Sequence, residues 1–169
     1  NINFGIQQLP SATGSTVPSQ SNPGGTLQSS NVSSYFAGTD PDGGIITAIR
    51  ISSMPTGATS IAIDGVVYTS IAAINAAYPN GIPTNIYGQP TVSITVDPSA
   101  TGATTVYIPF TVIDNAGFES TTSSNVAIPF SGTGSANYTV SGNVYNDIDG
   151  LADNNIHTNA MFSPNSGTN

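Results

Sequence analysis

The sequence predicts an all-β protein built as an antiparallel β-sandwich, and three observations lead to this prediction. Short apolar runs alternate with polar residues at a period of two, which is typical of strands with one buried face. Turn-forming residues separate these runs at intervals of about 8–12 residues. The 169-residue chain contains 18 Gly and 12 Pro but no Cys, so turns are plentiful and no disulfide can stabilise them.

The first 34 residues fall into two parts. Residues 1–9 place Ile2, Phe4 and Ile6 on one face of a predicted strand that has no sequence neighbour to pair with. An unpaired apolar strand is costly, so we expect it to be the last strand of a preceding module. Residues 10–34 are rich in Ser, Thr, Gly and Pro, which predicts either a linker or an edge strand.

A complete β-sandwich is predicted over residues 35–133. Ile45, Ile49 and Ile51 are expected to alternate across one strand, and later apolar runs repeat the same period. One face of each strand in a sandwich must be shielded from water. The predicted core residues are Ile49, Ile51, Ile61, Ile94, Val106, Ile108, Phe110, Val112 and Ile128.

Local signals refine this region. Asp64-Gly65 lies between two apolar runs, a pattern that predicts a tight β-hairpin. A single helix-like stretch runs from Ser70, a favourable N-cap, to a stop at Pro79. We interpret Asp64 and Asp97 as turn residues, because Asp before Gly or Pro favours a turn.

Residues 134–169 predict the beginning of a second β-sandwich module that is incomplete. Tyr138, Val140 and Val144 open a new strand pattern, which leads into an acidic loop. The remaining residues are polar and contain no further strand-forming run.

The charge balance excludes several classes of function. The formal net charge is −8, and Arg50 is the only Lys or Arg in the chain. Binding of nucleic acid needs clustered cations, so this composition excludes a nucleic-acid-binding protein. No apolar run approaches the ~20 residues that a transmembrane helix needs to cross a bilayer. Cys is absent and His157 is the single His. Without Lys or Cys, and with only one His, the chain lacks the side chains for most catalytic chemistries. We therefore predict that the protein is not an enzyme.

Aspartates near turn glycines are candidates for calcium binding. Calcium prefers six to eight hard oxygen ligands on tightly turning loops. The candidate ligands are Asp40, Asp42 and Asp114 in one group and Asp147, Asp149 and Asp153 in the other. The alternative is that these aspartates only form turns, since Asp readily bonds to its own backbone. The second group also lacks the Glu that closes an EF-hand loop.

Three stretches resemble known extracellular modules. Phe36-Ala-Gly-Thr-Asp-Pro-Asp-Gly-Gly and the later Thr111-Val-Ile-Asp-Asn-Ala-Gly resemble the two recurring loops of bacterial cadherin-like and Ig-like repeats. Val140-Ser-Gly-Asn-Val-Tyr-Asn-Asp-Ile-Asp-Gly is similar to the opening of the B-type module of SD-repeat surface proteins, which is related to the collagen-adhesin B-type fold. This alternation is similar to very long secreted adhesins of gliding bacteria.

The resemblance implies a non-enzymatic structural or adhesive repeat segment of a large cell-surface or secreted protein. Such a segment would act as a stiff, calcium-stabilised spacer or stalk at the extracellular cell surface. Its expected partners are neighbouring repeats, surface glycans or other cells. Two alternatives stay open at this point: a filament subunit assembled by strand exchange, and a carbohydrate-binding accessory module of a secreted hydrolase.

Overall fold

The computed structural model describes residues 7–22 and 28–132. Backbone contacts divide the chain into two units, Asn1–Thr133 and Gly134–Asn169, and all described residues belong to the first. The predicted strand of Ile2, Phe4 and Ile6 lies outside the described residues, as does the predicted module from residue 134 onward.

The described residues form an all-β, sandwich-like fold, which confirms the predicted class. The strands are β1 (Ser11–Thr13), β2 (Gln20–Asn22), β3 (Ala37–Thr39), β4 (Ile46–Ile51), β5 (Ala58–Ile63), β6 (Val66–Tyr68), β7 (Ile82–Pro83), β8 (Ile94–Pro98), β9 (Thr104–Asp114) and β10 (Ser124–Gly132). One α-helix, α1 (Ile71–Ala77), and one 3-10 turn, Ser33–Tyr35, accompany them among the described residues. This helix is not long or apolar enough to cross a membrane.

Three sheets order these strands. The largest has the order β2-β10-β9-β4-β7, the second has the order β6-β5-β8, and β1 pairs with β3. All pairings are antiparallel except that β2 runs parallel to β10. Strands β1 and β2 lie within residues 10–34, for which the sequence predicts a linker or an edge strand, and both pair at sheet edges.

The core between the sheets contains every predicted core residue. All nine are at most 1% exposed, so the period-two pattern identified the buried face correctly. Two rings, Phe36 and Phe110, pack edge to face with their centroids 4.8 Å apart. Val17 and Val32 join the same core although their surroundings show no strand period.

The prediction for Ile45 is wrong. Ile45 is 52% exposed and precedes β4, whereas Ile46 is 5% exposed. The pairing of β4 with β9 is irregular between Ile46 and Ala48. A bulge adds one residue to a strand and reverses which side chains face the core, so the alternation observed from Ile49 cannot be extended back to Ile45.

The hairpin and the helix are confirmed. Asp64 and Gly65 join β5 to β6 with φ angles of 52° and 77°, the positive values that a tight two-residue hairpin turn requires. The Ser70 hydroxyl accepts a hydrogen bond from the Ala73 N–H at 3.3 Å and caps α1. Asp97, however, lies within β8 opposite Ser60. The residue before proline favours an extended backbone, which here prolongs the strand.

The chain passes through this unit from one end to the other. The Gln7 side chain donates a hydrogen bond to Asp114, which is the last residue of β9. Gly132 lies beyond Phe130, which pairs with Thr104 at the opposite end of β9. Since β9 contains 11 residues, these two ends are separated by roughly 35 Å at about 3.3 Å per residue.

Candidate functional site

The candidate site lies at the end of the sandwich where β3 and β9 terminate. Residues 40–45 lead from β3 into β4, and residues 115–118 follow β9. The pairing of Ile46 with Asp114 brings these two loops side by side. They enclose an open cleft of about 400 Å³, called here the acidic cleft. Its lining residues are Gln7, Asp40, Asp42, Gly43, Gly44, Asn115 and Ala116.

Two carboxylates of the acidic cleft have opposite pKa shifts. Desolvation, followed by the neighbouring Asp42 carboxyl and the charge of Asp114, raises the pKa of Asp40. The backbone N–H of Gln8 donates to Asp42 Oδ2 at 2.9 Å, and this bond is the main cause of the lowered pKa of Asp42. Ionised Asp42 therefore has a hydrogen-bond donor, whereas ionisation of Asp40 is disfavoured.

One oxygen of Asp40 stands out. Its Oδ2 atom is buried and has no hydrogen-bond partner among the described residues. It lies over Gly44 together with the Oδ1 atom of Asn115, so a Cβ at Gly44 would overlap both oxygens. The absence of a side chain at Gly44 thus allows two oxygen atoms from distant loops to approach each other.

Asp114 has a different role from the two cleft aspartates. It is 1% exposed, and its Oδ1 atom accepts hydrogen bonds from the N–H groups of Ala116 and Phe118, both at 2.8 Å. Its Oδ2 atom accepts a bond from Gln7 Nε2 at 3.1 Å. The carboxylate therefore fixes the turn after β9 and positions Asn115.

Asn115 was not predicted from the sequence as a site residue. Its Oδ1 atom accepts the backbone N–H of Ile45 at 3.0 Å and faces the acidic cleft. An amide oxygen next to an aspartate on a glycine turn is a suitable ligand for a hard cation. The adjacent pair Asp114-Asn115 is the sequence feature that could have identified Asn115 as a site residue. Gln7 was also missed, because nothing local connects it to residues more than 30 positions away.

The six predicted metal ligands do not lie together in the described structure. Asp40 and Asp42 line the same cleft and Asp114 adjoins it, while Asp147, Asp149 and Asp153 lie outside the described residues. Within residues 7–22 and 28–132, no group of three or more His, Cys, Asp and Glu side chains has an arrangement that could hold a metal ion. Any cation in the acidic cleft would need the Asn115 amide oxygen or backbone oxygens in addition to carboxylates.

Comparisons with known proteins returned no relative. No protein-family model matches the chain, no curated protein matches it significantly, and no solved structure does so.

Proposed function

We propose that the chain is a non-enzymatic structural or adhesive segment of a large cell-surface or secreted protein, where it acts as a stiff, calcium-stabilised spacer. One observation carries this proposal. The chain enters the described unit beside the acidic cleft and leaves it at the opposite end of β9. A unit with this path adds its full length to a chain of units, as tandem modules require.

The acidic cleft supports the calcium part of the proposal. Asp40 Oδ2 is buried and has no hydrogen-bond partner among the described residues, so a cation would satisfy it, and Asn115 Oδ1 lies on the same side of Gly44. We expect Asp40, Asp42 and Asn115 to hold the ion. Calcium would offset the repulsion between the carboxylates, which otherwise favours a proton on Asp40.

The location of the cleft gives calcium a mechanical consequence. Gln7 and Gln8 each donate a hydrogen bond to an aspartate at this end of the sandwich. An ion bound there would hold Asp42 directly and Asp114 through the adjoining Asn115, and it would thereby hold the point where the chain enters. Calcium would thereby stiffen the junction with whatever module precedes this one, in line with the resemblance to cadherin-like repeats.

The expected partners follow from this role. Neighbouring repeats would contact the two ends of the unit, and surface glycans or other cells would contact an assembled stalk. The expected location is the extracellular cell surface, where calcium is available to stabilise a chain that has no Cys to form disulfides.

Calcium-dependent thermal unfolding tests the proposal. A ligand that binds only the folded state at a hundredfold excess over its Kd stabilises by ~2.7 kcal/mol, which corresponds to a Tm increase of roughly 5–10 °C for a protein of this size. We expect this increase for the wild-type chain in calcium relative to a chelator. Asp42→Asn should remove most of it.

Asp64→Asn is the matched control for this experiment. Asp64 is exposed and lies in the β5–β6 turn, and Asn also tolerates the positive φ that this position requires. The control makes the same charge change away from the cleft and should keep the calcium shift. Superimposable wild-type curves in calcium and chelator would contradict calcium binding, and equal losses in the two variants would place the ion elsewhere.

A further inference from the structure

The N-terminal segment (residues 7–22) forms a parallel contact with the last strand. The Val17 N–H donates to Ala127 O at 2.8 Å, and the Ala127 N–H donates to Ser15 O at 2.9 Å. Further along, Gln20, Ser21 and Asn22 pair in parallel with Phe130, Ser131 and Gly132. This set of pairings between residues 15–22 and β10 is called here the parallel contact.

Both strands of the parallel contact lead to the ends of the described unit, the N-terminal one by way of β1, which pairs with β3. Residues 7–22 come from the acidic cleft, where Gln7 contacts Asp114, and β10 leads to Gly132 at the far end. Tension on the chain would pull residues 7–22 toward the cleft and β10 away from it. Because hydrogen bonds run across paired strands, such tension slides the two strands past each other and loads all the bonds together.

We infer that the parallel contact is a mechanical clamp, which resists tension applied through the two ends of the unit by bearing the load in shear. The inference rests on the proposed role as a tandem spacer, since only a spacer is loaded in this direction. It adds to that role the specific residues that bear the force.

Neighbouring contacts hold the clamp in register. The Asn22 side-chain amide donates to the backbone oxygens of Ala100 and Gly102 at 2.8 and 3.0 Å, and Asn22 is 2% exposed. At the other end, the Gly14 N–H donates to Ser124 Oγ at 2.8 Å. A Cβ at Gly14 would overlap the backbone oxygen of Asn125, so glycine allows residues 7–22 to cross close to β10.

The direction of pulling provides the sharpest test. The full 169-residue chain is first unfolded by atomic force microscopy between marker domains joined to its two termini. Because the chain contains no Cys, a second version with Thr13→Cys and Ser123→Cys can be pulled from those two exposed sites alone. Both sites precede the parallel contact on their own strands, at its end nearer the cleft, so this geometry peels its bonds one after another.

We expect a mean unfolding force roughly two- to threefold higher through the termini, because at least two backbone bonds share the load in shear and break singly when peeled. Equal forces in the two directions would overturn the inference. All measurements are made in chelator, so they do not depend on calcium binding. A positive calcium shift with equal forces would leave the proposed function intact and remove only the clamp.

A substitution within the clamp gives a second test. Ala127→Pro removes the N–H that donates to Ser15, and proline already occupies position 129, which presents the same edge of β10. Ile82→Val is the control, since it leaves a small cavity in the core at β7, at the opposite edge of the same sheet.

Ala127→Pro should lower the terminal unfolding force to about half, whereas Ile82→Val should lower the denaturant midpoint and leave the force unchanged. An unchanged force for a folded Ala127→Pro protein would overturn the inference. If that variant does not fold, the comparison of pulling directions decides, because it leaves β10 unaltered.

Discussion

Two Asp-Gly turns of similar sequence have different surroundings in this protein. Asp64-Gly65 closes the β5–β6 hairpin, and a Cβ at Gly65 would meet no atom within 4 Å. In Asp42-Gly43 a Cβ at the glycine would also meet no atom within 4 Å, but a Cβ at the next residue, Gly44, would overlap Asp40 and Asn115. One turn faces solvent, and the other packs against a second loop.

The difference shows that one turn is stabilised by its own residues and the other by residues distant in sequence. The hairpin turn needs only its own positive φ angles, which Asp64 and Gly65 provide. The loop at the acidic cleft is held instead by residues far away in sequence, since Asn115 is 70 positions from Ile45 and Gln8 is 34 positions from Asp42. Only the second kind of turn concentrates oxygen atoms from several segments.

The aromatic pair in the core, on strands that lead to the acidic cleft, gives the largest expected effect. Phe36 precedes Asp40 by one short strand, and Phe110 precedes Asp114 on β9, with the two rings packed edge to face. Phe110→Ala should lower the free energy of unfolding by about 3–5 kcal/mol, measured by urea titration. A variant that unfolds at the wild-type urea midpoint would show that this ring does not stabilise the core.

Glycine substitutions separate the two turns with the next largest effect. Gly44→Ala should cost about 1–3 kcal/mol through overpacking and should abolish the calcium-induced increase in Tm. Gly65→Ala should cost about 1–2 kcal/mol because its φ of 77° is unfavourable for Ala, and it should keep the calcium effect. Thermal melts of both variants in calcium and in chelator would make the comparison, and identical calcium responses would contradict it.

Neutralising one aspartate in each turn should change stability at the cleft and leave it nearly unchanged at the hairpin. In chelator at pH 7, Asp40→Asn should raise the Tm, because ionised Asp40 is disfavoured by desolvation and by Asp42. The same variant should lose part of the calcium-induced increase. Asp64→Asn should stay within about 0.5 kcal/mol of wild type in both conditions. A fall in Tm for Asp40→Asn in chelator would contradict this, because it would show that the folded protein stabilises the ionised Asp40 carboxylate.

The smallest expected effect is a pH dependence of that difference. The pKa of Asp40 is raised in the folded state, so its ionisation penalty is present above this raised pKa and is relieved as the pH falls through it toward 3.8. The advantage of Asp40→Asn over wild type in chelator should therefore shrink on acidification below pH 7. Parallel melts of both proteins across this range test the sign, and a growing difference would contradict it.

Much of the fold could be predicted from the sequence because the information is local. A period of two identified all nine core residues from Ile49 to Ile128, since each strand of a sandwich has one face in the core. Asp64-Gly65 and Ser70 fixed the hairpin and the helix start for the same reason. At Ile45 the local pattern failed, because a bulge changes the alternation without leaving any mark in the residue types.

The candidate site depends far more on tertiary structure. The sequence alone pointed to Asp40, Asp42 and Asp114 as acidic residues on turns, which is a statement about residue type and spacing. Only the tertiary structure brings the two loops together, through the pairing of Ile46 with Asp114, and places Asn115 and Gln7 at the cleft. The bonds from Ala116 and Phe118 to Asp114, by contrast, lie within one turn and follow from the local preference of Asp for turns. Contacts between residues 70 or more positions apart have no local signal, because they exist only once the sheets have assembled.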